Sequence, residues 1–233
     1  MRKINFTEGQ IYHIYNRGVE KRDIFMDDAD RFRFLRSMFF CNNRSPAINS
    51  FRGENEFGEK MDLNNRGEAI VRIHVFVLMS NHFHFLIEPL DDDAMSIFMH
   101  KLGTAYTMYF NKKNKRVGSL FQGPFKAIEV ETDSYFQYLP YYIHLNPLDL
   151  FQPSWREQKI LDPKKAMTFL NNYKWSSYSD YSGKNNYPSL IYKDLLVDVL
   201  GGPVEHEKGM REWLKSMSFE SIEGMSFESR LDF

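Results

Sequence analysis

Two apolar runs separated by two residues constrain this chain more than any other feature. Residues 71–79 are nearly all apolar, as a central strand is, and an alternating run over residues 82–88 begins directly after Ser80-Asn81. A connection that short leaves an antiparallel hairpin as the available geometry. Asparagine suits such a turn because it tolerates positive φ. Successive side chains of the second run point to opposite faces, so Phe83, Phe85 and Ile87 share one face while His82, His84 and Leu86 share the other. The chain therefore commits to a sheet with one apolar face and one face carrying two imidazoles.

The other elements follow from period and punctuation. Residues 10–16 alternate as a strand that Arg17-Gly18 ends. Residues 27–43 predict a helix, with Phe32, Leu35, Phe39 and Phe40 on one stripe, acidic residues at its start and Arg44 past its end. Residues 94–111 predict a second helix, packing Met95, Phe98, Leu102, Ala105, Met108 and Tyr109 inward. Residues 118–131 return as a strand, placed at an edge by Pro124. Thr132 or Asp133 caps a helix leading to Tyr142, which Pro140 should kink or restart.

The order β-α-β-β-α-β-α predicts an α+β fold, a ferredoxin-like antiparallel sheet with helices packed on it. Residues 1–150 form this unit, and 151–233 read as a C-terminal helical extension with apolar periodicity over 190–200 and 208–217. A polar stretch rich in Gly and Asn, about residues 45–69, reads as an insertion loop. Met217-Ser218-Phe219-Glu220-Ser221 recurs as Met225-Ser226-Phe227-Glu228-Ser229, a repeat with no physical account.

Composition narrows the function classes. The chain has 42% hydrophobic and 16% aromatic residues, enough for a real core with aromatics to spare. No run of eighteen apolar residues indicates a membrane span, and the N-terminus moves into a polar segment without an apolar signal core. The single Cys41 excludes an internal disulfide and a cysteine-based zinc cluster, and it reads as a buried, inert thiol. A cytoplasmic protein with no membrane partner is expected. The net charge of −1 argues against broad non-specific coating of nucleic acid but permits one local basic groove.

The chemistry concentrates in two short pieces, Asn81-His82-Phe83-His84 and Tyr142-Ile143-His144-Leu145-Asn146-Pro147. A lone buried histidine is usually a hydrogen-bonded core residue. Two on one strand face, with Tyr142 and Asn146 four residues apart on a helix face, make a site for metal-assisted attack by tyrosine on phosphate. Imidazole nitrogens with an amide oxygen and open positions suit Mg²⁺ or Mn²⁺ held jointly with a substrate phosphate. Helical spacing selects Tyr142 over Tyr141, which lies about 100° around the helix, and the expected kink at Pro140 takes Tyr138 out of line. His13 either orients a metal-binding imidazole or makes a structural hydrogen bond. His144 reads as packing. Arg17 and Lys126 are candidate phosphate contacts in a local groove, with solvation the ordinary alternative for each.

Tyr12-His13-Ile14-Tyr15-Asn16-Arg17-Gly18, Met79-Ser80-Asn81-His82-Phe83-His84-Phe85-Leu86-Ile87, Tyr142-Ile143-His144-Leu145-Asn146-Pro147 and Trp175-Ser176-Ser177-Tyr178 resemble, in order, the motifs of single-tyrosine HUH transposases. The nearest branch is the REP-associated tyrosine transposases, relatives of the IS200-like enzymes. The resemblance implies a DNA transposase and endonuclease that cleaves and rejoins single-stranded or hairpin DNA through a 5′-phosphotyrosine. It implies His82, His84 and Asn146 as ligands of a divalent metal and Tyr142 as nucleophile. Members act as monomers or as dimers, so a homodimer stays open. Where the family continues Val-Arg-Ala-Gly after Asn-Pro, this chain has Leu148-Asp149-Leu150-Phe151, a loss of arginine expected to alter DNA contacts. Two other classes compete: a catalytically inactive or host-adapted DNA-binding descendant, and a histidine-based nucleotide hydrolase, which Leu86 in place of a third histidine disfavours.

Overall fold

The computed structural model describes residues 5–45, 67–156 and 160–216. Strand β1 (Tyr12–Arg17), helix α1 (Asp28–Cys41), strands β2 (Val71–Leu78) and β3 (His82–Pro89), helix α2 (Ala94–Lys113), strand β4 (Lys126–Glu129) and helix α3 (Asp133–Leu145) follow in the anticipated order. The four strands form one antiparallel sheet in the order β2-β3-β1-β4. Strands β1 and β3 are central because each is buried and paired on both edges. This is the ferredoxin-like arrangement expected from the alternation of elements.

Register divides the sheet into two faces. Ile14 opposes Phe85 and Asn16 opposes Phe83 on the side covered by α1, where the Phe34 ring lies 5.1 Å from Phe83. Arg17 opposes His82 and Tyr15 opposes His84 on the other side, beneath α3. The hairpin turn closes with the Met79 N–H donating to the His82 carbonyl at 2.9 Å. Its Asn81 makes no use of the positive φ that asparagine tolerates; among the described non-glycine residues Glu20, Lys21 and Lys115 take it. The unusual backbone therefore lies in the segment after β1 that grips the turn: Ser80 C=O accepts from the N–H groups of Ile24 and Phe25, and Asn81 C=O from that of Gly18.

Two expectations need correction. The strand anticipated over 118–131 is regular only over Lys126–Glu129; before it the chain makes a bridge from Phe121 to Gly18 and a bond from the Gln122 N–H to the Arg17 carbonyl. Pro124 and the flanking glycines Gly118 and Gly123 break the ladder there. Helix α3 does not restart at Pro140 but continues as one element from its Thr132 cap to Leu145. Residues 138–145 are buried, and packing on both sides outweighs the roughly 3 kcal/mol that an internal proline costs.

The C-terminal extension is helical as expected: α4 (Leu148–Phe151), a 3₁₀ turn (Pro153–Arg156), α5 (Pro163–Asn172), α6 (Tyr178–Tyr181), α7 (Asp194–Leu200) and α8 (Pro203–Ser216). It interlocks with the sheet unit. Residues 175–177 run along β2, with the Leu78 N–H donating to the Trp175 carbonyl and the Ser177 N–H to that of Phe76. A second apolar cluster, including Tyr141, Leu145, Trp155, Met167 and Met210, joins α3 to α5 and α8. Most of the polar stretch 45–69 and all of the 217–229 repeat lie outside the described residues. Among the described residues no helix is long and apolar enough to cross a membrane.

Helix α8 crosses α3 at Gly209, where a Cβ would stand 2.3 Å from the Tyr141 hydroxyl oxygen. Tyr141 is stacked on His206 at 5.2 Å and has little freedom to yield. Gly209→Ala should therefore lower stability by about 1–3 kcal/mol, despite the better helix propensity of alanine. Thermal unfolding checks this, and an unchanged or raised midpoint would contradict the packing.

Candidate active site

Strand β3 carries His82 and His84 to the face under α3 because one-residue alternation allows no other placement. The His84 ring is buried, and its Nδ1 lies 2.9 Å from Nε2 of His13, which β1 presents from the same face. His13 thus makes its hydrogen bond directly to His84. The Asn81 side chain donates through Nδ2 to the Lys21 carbonyl, so its Oδ1 must accept, and His82 Nδ1 at 2.6 Å is the donor. This tautomer leaves His82 Nε2 with a lone pair. The His82 ring also reaches the Asn146 amide.

Helix α3 supplies the opposing groups. The Tyr142 ring lies 6.1 Å from His84 and 6.3 Å from His13, edge-on to both. Asn146, one turn later, is wholly buried and donates from Nδ2 to the Tyr142 carbonyl at 2.8 Å, which aims its Oδ1 away from the helix. Tyr141 faces away from the histidines and packs on α8 against His206 and Trp213. Because α3 is continuous, Tyr138 stays on the Tyr142 stripe and is not taken out of line as expected. Its ring lies 5.7 Å from Tyr142 and 5.1 Å from Trp213. Proximity to His84, not the proline, is what separates Tyr142 from Tyr138. His144 is hydrogen-bonded at both nitrogens, to His206 and Ser177, and so fixes α3 between α8 and the segment along β2.

Burial makes these imidazoles neutral. It pushes His13 and His82 down to about 3 and His84 well below its usual value. The charges of Arg156 and Arg17 add to the effect at His82, and at His84 the neighbouring imidazoles His82 and His13, which would repel a second proton, and Arg156 add to it. Neutral imidazole is the form that binds metal. His84 Nε2 is buried without a hydrogen-bond partner, a costly state unless another group completes it. Among the described residues no three histidine, cysteine or carboxylate side chains gather as a metal cage. A third protein ligand beside the two histidines would therefore be the Asn146 oxygen. An orphaned imidazole nitrogen, a second imidazole lone pair and an amide oxygen fit an open divalent site.

The candidate phosphate contacts differ in setting. Arg17 stands opposite His82 on the same face and donates to Gln122 at 3.3 Å. Lys126 is exposed on edge strand β4, opposite Tyr15 and so on the His84 face. Lys113, from a basic run, instead bridges Asp27 and buried Asp30, tying α2 to α1. Burial raises the Cys41 thiol to about 11, in keeping with an inert side chain.

Sequence reasoning missed Arg156. Its Nη2 donates to Asn146 Oδ1 at 3.1 Å, its guanidinium stands 5.9 Å over the Tyr142 ring, and Nη1 is held by Asp149. Asp149, noted only as a lost arginine, is the group that places this one. No periodicity connects positions 146, 149 and 156, because a 3₁₀ turn folds Arg156 back; the Asp149, Trp155 and Arg156 combination was the available signal.

Residues 35–146 match the family described as "Transposase IS200 like", a stretch running from α1 through Asn146. In structure the chain is similar to a REP-associated tyrosine transposase solved bound to a REP hairpin. The TM-score is 0.50 at 14% identity, over 84% of this chain and 92% of that one, a likeness of fold. No curated protein matches the chain in sequence.

The buried histidines make stability depend on pH. His206, on α8, is pushed down to about 4 by burial. A lowered histidine contributes stability that is complete above the unfolded value of about 6.5 and is lost as pH falls toward the folded value. Each such histidine should cost about 1.4 kcal/mol per pH unit between about 6.5 and 4. Denaturant unfolding at pH 7 and pH 5 checks this; equal stability at the two values would contradict neutral burial.

Proposed function

We propose that the chain is a transposase of the IS200-like family, whose model matches residues 35–146, and that it cleaves and rejoins single-stranded DNA through a covalent bond to Tyr142. One observation carries the reading: His84, whose Nε2 is buried without a hydrogen-bond partner, meets the Tyr142 ring edge-on at 6.1 Å, and the His82 ring, itself in contact with Asn146, stands 5.1 Å from it.

The roles follow from the contacts. His82, His84 and Asn146 would hold the divalent ion, Mg²⁺ or Mn²⁺. Donation from His82 Nδ1 to Asn81 and the contact of His84 Nδ1 with His13 orient the two rings. When bound, the ion withdraws charge from the phosphorus and fixes the line of attack. Tyr142 loses its phenolic proton and its oxygen bonds to phosphorus. The bond from phosphorus to the 3′ oxygen breaks, that oxygen takes up a proton, and a 5′-phosphotyrosine remains. Forming a free phenolate at pH 7 costs roughly 4 kcal/mol, which is why the tyrosine requires a polarised phosphate. Attack by the freed 3′-hydroxyl, or that of another strand, reverses the step and rejoins DNA.

The substrate class follows from the surroundings. Arg17 and Lys126 stand on the site face, where they would serve as phosphate contacts, and with a net charge of −1 recognition would rely on such local cations. A hairpin is the natural first substrate to try, since the structurally similar transposase was solved with one.

Incubation with Mn²⁺ and labelled single-stranded hairpin DNA should give a covalent protein–DNA adduct. Tyr142→Phe should abolish it with little effect on fold or DNA affinity, because one hydroxyl is removed. His84→Ala or a chelator should lower the rate by at least about 10². Adduct formation at the wild-type rate in Tyr142→Phe, or its loss only in Tyr141→Phe or Tyr138→Phe, would refute the assignment.

A further inference from the structure

Arg156 is held by more contacts than a surface cation needs. Its Nη1 donates to Asp149 Oδ1, an oxygen that also accepts from Trp155 Nε1, and its guanidinium stacks 4.5 Å from the Trp155 ring. Its other arm reaches Asn146 Oδ1 at 3.1 Å and its charge centre stands 5.9 Å over Tyr142. The fork is therefore braced on one side by a carboxylate and an indole and offered to the candidate site on the other. Asn146 is fully buried and Tyr142 is 5% exposed, whereas the Arg156 side chain is 23% exposed. It is a cation at the boundary between the buried ligands and solvent, where an entering phosphate would meet it.

The contact with Asn146 has a further consequence. Asn146 Oδ1 is the oxygen assigned to the metal, and in this structure it is engaged by a guanidinium. An ion binding there competes with Arg156 for that oxygen and repels its charge. A phosphate entering with the ion supplies anionic oxygens that a planar two-pronged donor matches better than a single amide oxygen.

We propose that Arg156 is a phosphate clamp that exchanges partners: in the resting site its guanidinium is stored on Asn146, and when metal and DNA enter it turns to the phosphate attacked by Tyr142. Asp149 and Trp155 are its positioning residues. The proposal rests on the reading of the site as a DNA-cleaving centre, and it adds a residue that neither strand alternation nor helical spacing identifies.

Arg156→Gln tests it through three readouts. Mn²⁺ titrated calorimetrically into the DNA-free protein should bind several-fold more tightly than to wild type, because a competing cation has gone. In a Tyr142→Phe background, binding of a single-stranded hairpin should lose about 0.7 from the slope of log affinity against log salt, the share of one phosphate contact. Adduct formation should fall about 10² to 10³-fold, as for removal of one donor to a developing charge. Arg156→Lys should keep the salt slope and still lose rate, since the charge remains and the fork does not; it also serves if the glutamine variant fails to fold. An unchanged salt slope and adduct rate in Arg156→Gln would overturn the clamp, and an unchanged Mn²⁺ affinity would overturn the exchange at Asn146. Absence of adduct in wild type would instead refute the cleavage reading, while the salt slope and Mn²⁺ affinity would still judge Arg156.

Discussion

The register of β1 against β3 sets Arg17 opposite His82 and Tyr15 opposite His84, and the arrangement under α3 depends on that pairing. A slip of one residue would turn both imidazoles into the α1 and α2 layer and bring Phe83 and Phe85 under Tyr142. The register is specified on both faces at once. Ile14, Phe83 and Phe85 must meet the α1 core around Phe34, while His13 must meet His84. The grip of Gly18, Ile24 and Phe25 on the hairpin turn adds a third constraint next to His82.

Against this sheet the second half of the chain acts as a mount for α3. Helix α8 packs on Tyr141, and His144 is bonded to both His206 and Ser177, whose hydroxyl also binds the backbone of Phe76 in β2. The helix bearing Tyr142 and Asn146 is thereby held by the sheet edge on one side and by the C-terminal layer on the other. Packing on both faces explains how Pro140 can sit inside a continuous helix. The helices of the extension that bury the back of α3 thereby help fix where Tyr142 points.

Much of this was legible in the sequence, for physical reasons that can be named. Strict alternation in 82–88 and a two-residue turn determine a hairpin and its faces, so His82 and His84 could be assigned to one side without coordinates. Four-residue spacing in a helix did the same for Tyr142 and Asn146. The errors came where tertiary contacts overrode local preference. Pro140 yields to burial, the turn at Asn81 is set by the preceding loop, and the stretch before Lys126 is held by bonds to Arg17, Gly18 and Val19 instead of a ladder. Arg156 was invisible for a different reason. Its place depends on a carboxylate and an indole brought together by a short 3₁₀ turn, and no period reports that.

The central claim is that His82, His84 and Asn146 form one divalent-metal site beneath Tyr142. Anomalous diffraction from a crystal of the full chain soaked in Mn²⁺ tests it most directly. The account predicts a peak in contact with the Nε2 atoms of both histidines and with Asn146 Oδ1, with Arg156 drawn away from that oxygen. A peak held elsewhere, or none beside histidines that keep their present hydrogen bonds, would contradict it.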